Sequence, residues 1–515
     1  MKGVAQLSRG GETKRVPFSP LLFCLVLILL AALFLGAVLG ATNLVYGIAV
    51  AGTLMMLLIM LFRWDELAVM LIIAVHILVD WYLALRLVSL LIGLVFLFVC
   101  YFGRSADHPW VKPRPLWLWG LFLTLTIYPA IKGGRFSLYD ADTFYPSLVF
   151  GAFMMFWLGN IIAKDISAVR RVFQFLSVLA VLIAIHTIIE ATTGKFLFES
   201  ARAEATFALN SNYQLVQNLG ASVSRASSFF EQPNGNGTFL AFSFFLPLGL
   251  FFESKHIWAK VIYLLEMPLI LLALMFTYST GSWLAVFVGY LAFLFFVGRK
   301  RYGMLLLMLI VTLTVIVFTI FPSQLALQLS HANAQNESSL HIAVWQTAVR
   351  IIEAFPLFGI GLSNQAYLIY EEPFRVPAQI LPVVDPNNSY LQWGAMAGIP
   401  VMLVFILLLG YVFWRSWRNW HTTDTRYRPL IGGGIAALIT LSISSLALAG
   451  WTGQDGMASL GWLVAGLITS PFIGCYPYKK SVLEVTQKAE IIPDTTEVSH
   501  YTRQSKILAR SDMSE

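Results

Sequence analysis

The sequence predicts an all-α protein, a polytopic transmembrane helix bundle of about 12–14 spans with large extracytoplasmic loops. Three observations predict it. Of 515 residues, 58% are hydrophobic and only 12% charged, whereas soluble domains carry about 25% charged residues. The apolar residues fall in runs of about 16 to 22, enough to cross a hydrocarbon layer of about 30 Å as a helix. Lys and Arg gather in alternate connections between those runs, as they do in loops that face the cytoplasm.

The runs lie near 21–39, 44–62, 67–84, 87–102, 116–131 and 145–163, then 172–189, 238–252, 261–277, 282–297, 304–321, 398–413, 430–449 and 460–473. The first follows Lys14 and Arg15 as a signal peptide would. It lacks a small-x-small cleavage site and leads straight into the second run, so it reads as a retained helix. Only residues 81–86 separate the third run from the fourth. Merging those two would invert every later loop and place Arg299-Lys300-Arg301 outside, so two crossings preserve the charge bias.

This bookkeeping divides the chain into N-terminal transmembrane helices at 1–190, an outer loop at 191–237 and central helices at 238–321. A large outer loop follows at 322–397, then C-terminal helices at 398–475 and a polar tail at 476–515 without apolar periodicity, which reads as disordered. Both termini are expected in the cytoplasm, with the protein in the cytoplasmic (inner) membrane. The 322–397 connection is far longer than the roughly 2 to 8 residues that link helices in a compact bundle, which points to chemistry or recognition there.

The net charge is +7, but the basic residues form short clusters between apolar runs and no stripe interleaved with aromatics, so no nucleic-acid partner is expected. Cys24, Cys100 and Cys475 are far apart, without CxxC spacing or a histidine cluster. Neither a disulfide framework nor a metal site is indicated.

Four polar segments interrupt the apolar background, and charge bookkeeping puts all of them on the outer face: Arg225 to Gly237, Thr277 to Ser282, Asp385 to Gln392 and Trp451 to Gly456. Arg225 can grip a phosphate bidentately, and the glycine-rich stretch after it can bring backbone N–H groups close to an anion. The same pattern fits an arginine snorkelling to headgroups beside a helix that starts at Pro233 or Asn234. Three ionisable residues, His76, His186 and Glu266, lie within apolar runs, with Asp80 and Glu190 nearer the outer ends of theirs. Intramembrane charge is costly and marks a functional candidate, although Glu266 also fits pairing with a polar neighbour, and each lone histidine fits packing. The large outer loop supplies His331, Glu337, His341, Arg350, Glu371, Glu372, Arg375 and Asp385. GIGLSNQAY, from Gly359, is no nucleotide motif, because neither a preceding strand nor a P-loop lysine accompanies it.

The segment from His341 to Pro400, HIAVWQTAVRIIEAFPLFGIGLSNQAY followed by DPNNSYLQWGAMAGIP, resembles the O-antigen ligase and O-antigen polymerase superfamily of bacterial surface-polysaccharide enzymes. It is similar to that family's Pro-x-x-Gly-x-Gly element and to its His-Asn-x-Tyr-Leu stretch closing in a Gly-Ile turn. RASSFFEQPNGNGTFLAF resembles the family's Arg-containing loop ending in Pro-Asn, and TYSTGSW its Thr-x-Ser-Arg-Gly hairpin. The resemblance implies a GT-C-like glycosyltransferase without a cofactor. It would act outside the cytoplasmic membrane, moving a polyisoprenyl-diphosphate-linked glycan onto an acceptor glycan or glycolipid among membrane lipids. Arg225, Asn234 and Thr280 are then the donor-diphosphate candidates, and Asp385, Asn387, His341, Glu371 and Glu372 the catalytic ones.

The chain departs from the family pattern at three charged positions. Asn387 stands where the family has its His, Thr280 where it has Arg after Ser, and His341 where it has Arg before the Trp. An asparagine is no general base, so Asp385, Glu371, Glu372 or His341 would have to act instead. The competing expectations are a catalytically silent polysaccharide-assembly subunit and a transporter of lipid-linked glycan or solute. Against the transporter stand the lack of an internal hydropathy repeat and of a paired set of broken helices.

Overall fold

The computed structural model describes residues 65–78, 93–94, 114–136, 144–193, 225–230, 232–297, 304, 308, 335–379, 382–452 and 456–473. The runs expected at 21–39 and 44–62, the tail 476–515 and most of the runs at 87–102 and 304–321 lie outside the described residues. So do Asp80, His331 and the middle of the 191–237 segment.

The remaining runs fold as helices. In chain order these are α1 (Asp65–Leu78), α2 (Leu116–Gly134), α3 (Gly151–Ile162, continuing a π-helical Phe144–Phe150), α4 (Ile166–Thr193), α5 (Pro233–Ser243), α6 (Phe245–Glu253), α7 (Ile257–Phe276) and α8 (Thr280–Val297). The segment 322–397 carries α9 (Gln335–Ala354), α10 (Asn364–Phe374) and α11 (Ser389–Ala397). Next come α12 (Ile399–Thr422), α13 (Arg428–Ser444) and α14 (Met457–Thr469). The chain is an all-α polytopic membrane protein: α2, α4, α5 with α6, α7, α8 and α12 are long and apolar enough to cross a bilayer. Hydrocarbon offers backbone groups no water to bond, so a lipid-facing segment must satisfy them within its own helix. The break between α5 and α6 has a local cause in Pro247, whose missing N–H leaves the carbonyl of Ser243 without its helical donor.

Glycines set how closely the helices approach. A Cβ on Gly466 of α14 would lie 2.1 Å from the carbonyl oxygen of Phe156 in α3, and one on Gly159 would lie 2.4 Å from that of Leu463. Small residues admit such backbone approach, and van der Waals contact then holds the pair where the hydrophobic effect offers nothing between helices in lipid. Gly432-Gly433-Gly434 give α13 the same property, and it sits at the centre, buried almost all round, against α6 and α8. Trp119, Phe122, Trp393, Phe405, Trp451 and Trp462 interlock α2, α11, α12 and α14, with centroids 4.9 to 6.3 Å apart.

Helix α9 is amphipathic, burying Ala343, Val344, Thr347, Ala348 and Ile351 while Ile342, Gln346, Val349 and Arg350 face outward, the 3.6-residue period of a helix lying on a surface. The Pro-x-x-Gly-x-Gly element then straps α11 to the end of α2. Ile360 and Gly361 donate to the carbonyls of Ala395 and Met396, and Leu362 to that of Pro129. Glycine is required here: Gly359 and Gly361 have φ of 59° and 117°, and a Cβ on Gly359 would sit 2.4 Å from the Met396 backbone.

The bundle has two chemically distinct ends. At one, Arg170 and Arg426 lie 2.7 and 3.8 Å from the buried carboxylate of Glu253, and Arg171 grips Glu66 with two bonds of 2.6 and 2.7 Å. Asn419 there donates to the carbonyls of Ile468 and Ser470. The described parts of the four polar segments lie at the other end. Mid-helix, Glu266 accepts a bond from Ser177 of α4 at 2.5 Å, a polar neighbour as the sequence allows.

Replacing Gly466 with Leu is expected to separate α3 from α14 and lower stability by about 1 to 3 kcal/mol, read as a drop in melting temperature in detergent; an unchanged midpoint contradicts the close contact. For orientation, a cysteine replacing exposed Ala378 should react with an impermeant thiol reagent on intact cells. One replacing exposed Asp424 should react only after permeabilisation, and the reverse pattern would invert the topology.

Candidate functional site

Arg225 lies at the polar end, half-buried, between two helix termini. Its Nε donates to the carbonyl of Thr277 at 2.9 Å, and Nη2 donates to Asn234 Oδ1 at 2.6 Å and to the carbonyl of Tyr278 at 3.5 Å. Thr277 and Tyr278 end α7, whose last carbonyls lack helical donors; the guanidinium supplies them. Ala226 N donates to the carbonyl of Phe276 at 3.1 Å, so the loop lies flat against the hairpin. Arg225, Asn234 and the Thr277–Ser282 hairpin are therefore one contact group. Thr280 is the exposed first residue of α8, beside them.

The Asp385–Gln392 segment meets the same end through α13. Asn388 caps α11: its Oδ1 accepts from the N–H groups of Tyr390 and Leu391 at 3.0 and 3.1 Å, while Nδ2 donates to the carbonyl of Leu446 at 2.8 Å. Ser389 N donates to the carbonyl of Ser445, and Ser389 Oγ accepts from Trp451 N at 3.0 Å. Thr452 bonds both Ser389 and Gln392. Of the fourth segment, Gly453, Gln454 and Asp455 lie outside the described residues. The two halves join where a Cβ on Gly281 would contact Ala447 Cβ at 3.8 Å and Leu448 Cδ1 at 4.0 Å.

Among the described residues, three that are not glycine hold positive φ, and each falls in one of these segments: Ser228 at 52°, Tyr278 at 52° and Asn387 at 49°. Such backbone costs of order 1 kcal/mol or more and persists where its surroundings enforce it, commonly at ligand sites. For Ser228 the enforcement is visible. Glu190, buried in the last turn of α4, accepts from Ser228 N at 2.6 Å and Ser227 N at 3.4 Å, and His186 Nδ1 lies 2.9 Å from Ser228 Oγ. At Asn387 the Asp385 carboxylate accepts the backbone N–H at 2.6 Å, and asparagine tolerates the left-handed region better than most residues.

The other catalytic candidates are placed differently. Glu371 is fully buried and tied to Arg375 at 2.6 Å, Gln379 at 2.5 Å and the N–H of Val383 at 3.0 Å, bonds that hold the turn after α10. Glu372 is exposed, and His341 is half-buried beside Trp345. Asp385 and Glu371 both act on the buried phenol of Tyr367, which burial and then those carboxylates push above the usual tyrosine range. Burial pushes the Tyr278 phenol up to about 12. Sequence reasoning missed Asn388 as a cap, although an Asn before a helical stretch carries that signal. It also left Lys132 unassigned, whose Nζ donates to the carbonyl of Gly359 at 2.8 Å; no local pattern reveals that contact across more than 200 residues.

Residues 267–406 match the family model described as O-Antigen ligase. The matched stretch runs from α7 into α12 and contains the Thr277–Ser282 hairpin, Asp385 and Asn387, and leaves Arg225 outside it. No curated protein matches the chain.

Two substitutions test this geometry. Asn387→Gly should be tolerated and Asn387→Val should lower stability, because only the second puts a β-branched side chain at positive φ. Asn388→Ala should cost about 1 to 2 kcal/mol from the lost cap, with Asn388→Asp recovering part of it. The checks are thermal melts of purified variants, and equal melting of the Gly and Val forms contradicts the strained turn.

Proposed function

Starting from the match of residues 267–406 to the family model described as O-Antigen ligase, we propose that the chain transfers or polymerises a polyisoprenyl-diphosphate-linked glycan at the outer face of the cytoplasmic membrane. The observation that carries this reading is the meeting of Arg225 with Asn234 at the N-terminus of α5 and with the hairpin that leads from α7 into α8, at one end of the bundle. Helix N-termini present N–H groups and partial positive charge to an anion, and a guanidinium adds a full charge with fork geometry. A lipid diphosphate held at the membrane edge offers the matching charge. The end bearing this group is opposite the Arg170, Arg171, Arg426 end, which the positive-inside rule assigns to the cytoplasm.

In this reading the acceptor hydroxyl attacks the anomeric carbon, the bond to the diphosphate oxygen breaks, and the lipid diphosphate leaves with the electron pair. Arg225, with Asn234 and Thr280 beside it, stabilises that developing charge, the kind of preorganised term that usually contributes most. Asp385 takes the hydroxyl proton. It is preferred to Glu371, which already accepts three hydrogen bonds in a buried turn, and to Glu372 and His341, which lie apart from α13 on α10 and α9. Asn387 orients the segment, held by its bond to Asp385.

The test is surface-glycan assembly in a complemented deletion strain with matched membrane levels. A charged hydrogen bond is worth about 1.5 to 3 kcal/mol, so Arg225→Ala should reduce transfer roughly 10- to 150-fold, with partial rescue by Lys. Wild-type assembly by Arg225→Ala removes the diphosphate role. Asp385→Asn keeps the turn's acceptor oxygen but not the base, and should reduce transfer about 100-fold or more. Full activity there would favour another base, and no activity even in the unaltered chain would favour a silent assembly subunit.

A further inference from the structure

At the opposite, basic end, described carboxylates pair with several of the arginines. Arg170 and Arg426 share Glu253, and Arg171 has Glu66. Among the described residues no carboxylate lies within ion-pair distance of Arg114 or Arg418. Arg114, just before α2, and Arg415 and Arg418, in the last turns of α12, lie at the same end of two helices that pack together, and the charge of each reaches the phenol of Tyr411. Two elements thus bring three guanidiniums to one end of the bundle. Arg418 also lies over the ring of Trp414, 5.2 Å from its centroid.

The surface leading away from this cluster is apolar. Helices α2 and α12 pack side by side, with Phe122 and Phe405 6.4 Å apart. Along α12, Leu403, Leu407, Tyr411, Trp414 and Arg418 recur at three- and four-residue spacing, one continuous face. Leu403, Leu407 and Trp414 are more than half exposed on it. On α2, Leu116 and Trp117 are 52% and 68% exposed at the same level as the arginines. Two notches interrupt this surface, because a Cβ built on Gly120 or on Gly410 meets nothing within 4 Å.

We propose that this face of α2 and α12 is a binding site for an anionic phospholipid. Its phosphodiester sits among Arg114, Arg415 and Arg418, and its acyl chains run along Leu407 and Leu121 into the notches at Gly410 and Gly120. Charge selects the headgroup, since neither Arg114 nor Arg418 has a carboxylate within ion-pair distance in the described protein, and arginine matches phosphate geometry. The apolar stripe selects a lipid over a soluble phosphate, since exposed tryptophans beside leucines fit the boundary between headgroups and chains. The site is remote from Arg225 and independent of the glycan reading.

The experiment uses the full chain, delipidated in detergent and titrated with phosphatidylglycerol, phosphatidylcholine or inorganic phosphate, with bound lipid counted by native mass spectrometry. Phosphatidylglycerol should bind in preference to phosphatidylcholine, and inorganic phosphate should not displace it at equal concentration. The double substitution Arg114→Ala, Arg418→Ala should weaken phosphatidylglycerol binding by about tenfold or more, given about 1 kcal/mol per basic residue near an anionic surface. Gly410→Phe, which fills a notch and leaves the arginines, should weaken it as well, with unchanged melting temperature showing that each variant is folded. Equal binding of the two lipids, or unchanged binding in the double variant, overturns the proposal. Displacement by inorganic phosphate would instead assign the arginines to a soluble anion and overturn the lipid assignment.

Discussion

A helix that ends at a membrane surface leaves its last four carbonyl oxygens without helical donors, and in this protein those oxygens organise everything at the polar end. The end of α7 is closed by Arg225, which reaches Thr277 and Tyr278. The end of α13 is closed by Asn388 on Leu446, Ser389 on Ser445 and Tyr390 on Ser442. In α2 the bond is one turn further in, where Leu362 N donates to the carbonyl of Pro129. Each donor comes from a segment distant in sequence, so satisfying the carbonyls also fixes which segments meet. Unmet, each buried carbonyl would cost on the order of 1 to 3 kcal/mol.

The same constraint explains why the candidate site is strained. A loop that must place a guanidinium or an amide against a fixed helix end has little freedom in its own backbone, and the positive φ values of Ser228, Tyr278 and Asn387 occur where those loops turn. The strain is held by acids one step away, Glu190 under Ser228 and Asp385 under Asn387. Arg225 closes α7, and in the proposed reaction it would also face the donor. Lysine supplies charge but not the planar fork that spans Asn234 and two carbonyls, so it should restore less than the native residue.

Much of this was legible in the sequence. Hydropathy runs located the described spanning helices because burying apolar length in lipid requires little else. Charge alternation placed Arg225, the Thr277 hairpin and Asp385 on one face, and Arg170, Arg171 and Arg426 opposite. What the runs hid was structure built from shorter signals. The segment 322–397 reads as a loop, yet Ala343, Val344, Thr347 and Ile351 mark an amphipathic helix at its usual period, masked by a mixed composition that falls below any membrane threshold. Contacts such as Lys132 with Gly359, or Asn388 with Leu446, depend on which helices are neighbours and have no local pattern to reveal them. Glu371 was a candidate by charge alone, and only its three hydrogen bonds identify it as the anchor of a turn.

The hairpin after α7 and the turn after α13 meet, joining the Arg225 group to the Asp385 segment. Cysteines at Gly281 and Ala447 measure that contact most directly, because a Cβ at position 281 would lie 3.8 Å from that of Ala447, a separation that matches disulfide geometry. In a chain whose Cys24, Cys100 and Cys475 are replaced by serine, mild oxidation in membranes should convert nearly all of the double variant to the cross-linked form. Cysteines at Gly281 and exposed Glu372 serve as the comparison and should remain unlinked. Failure of the 281–447 pair to link, with each cysteine still reactive on its own, would contradict a shared site.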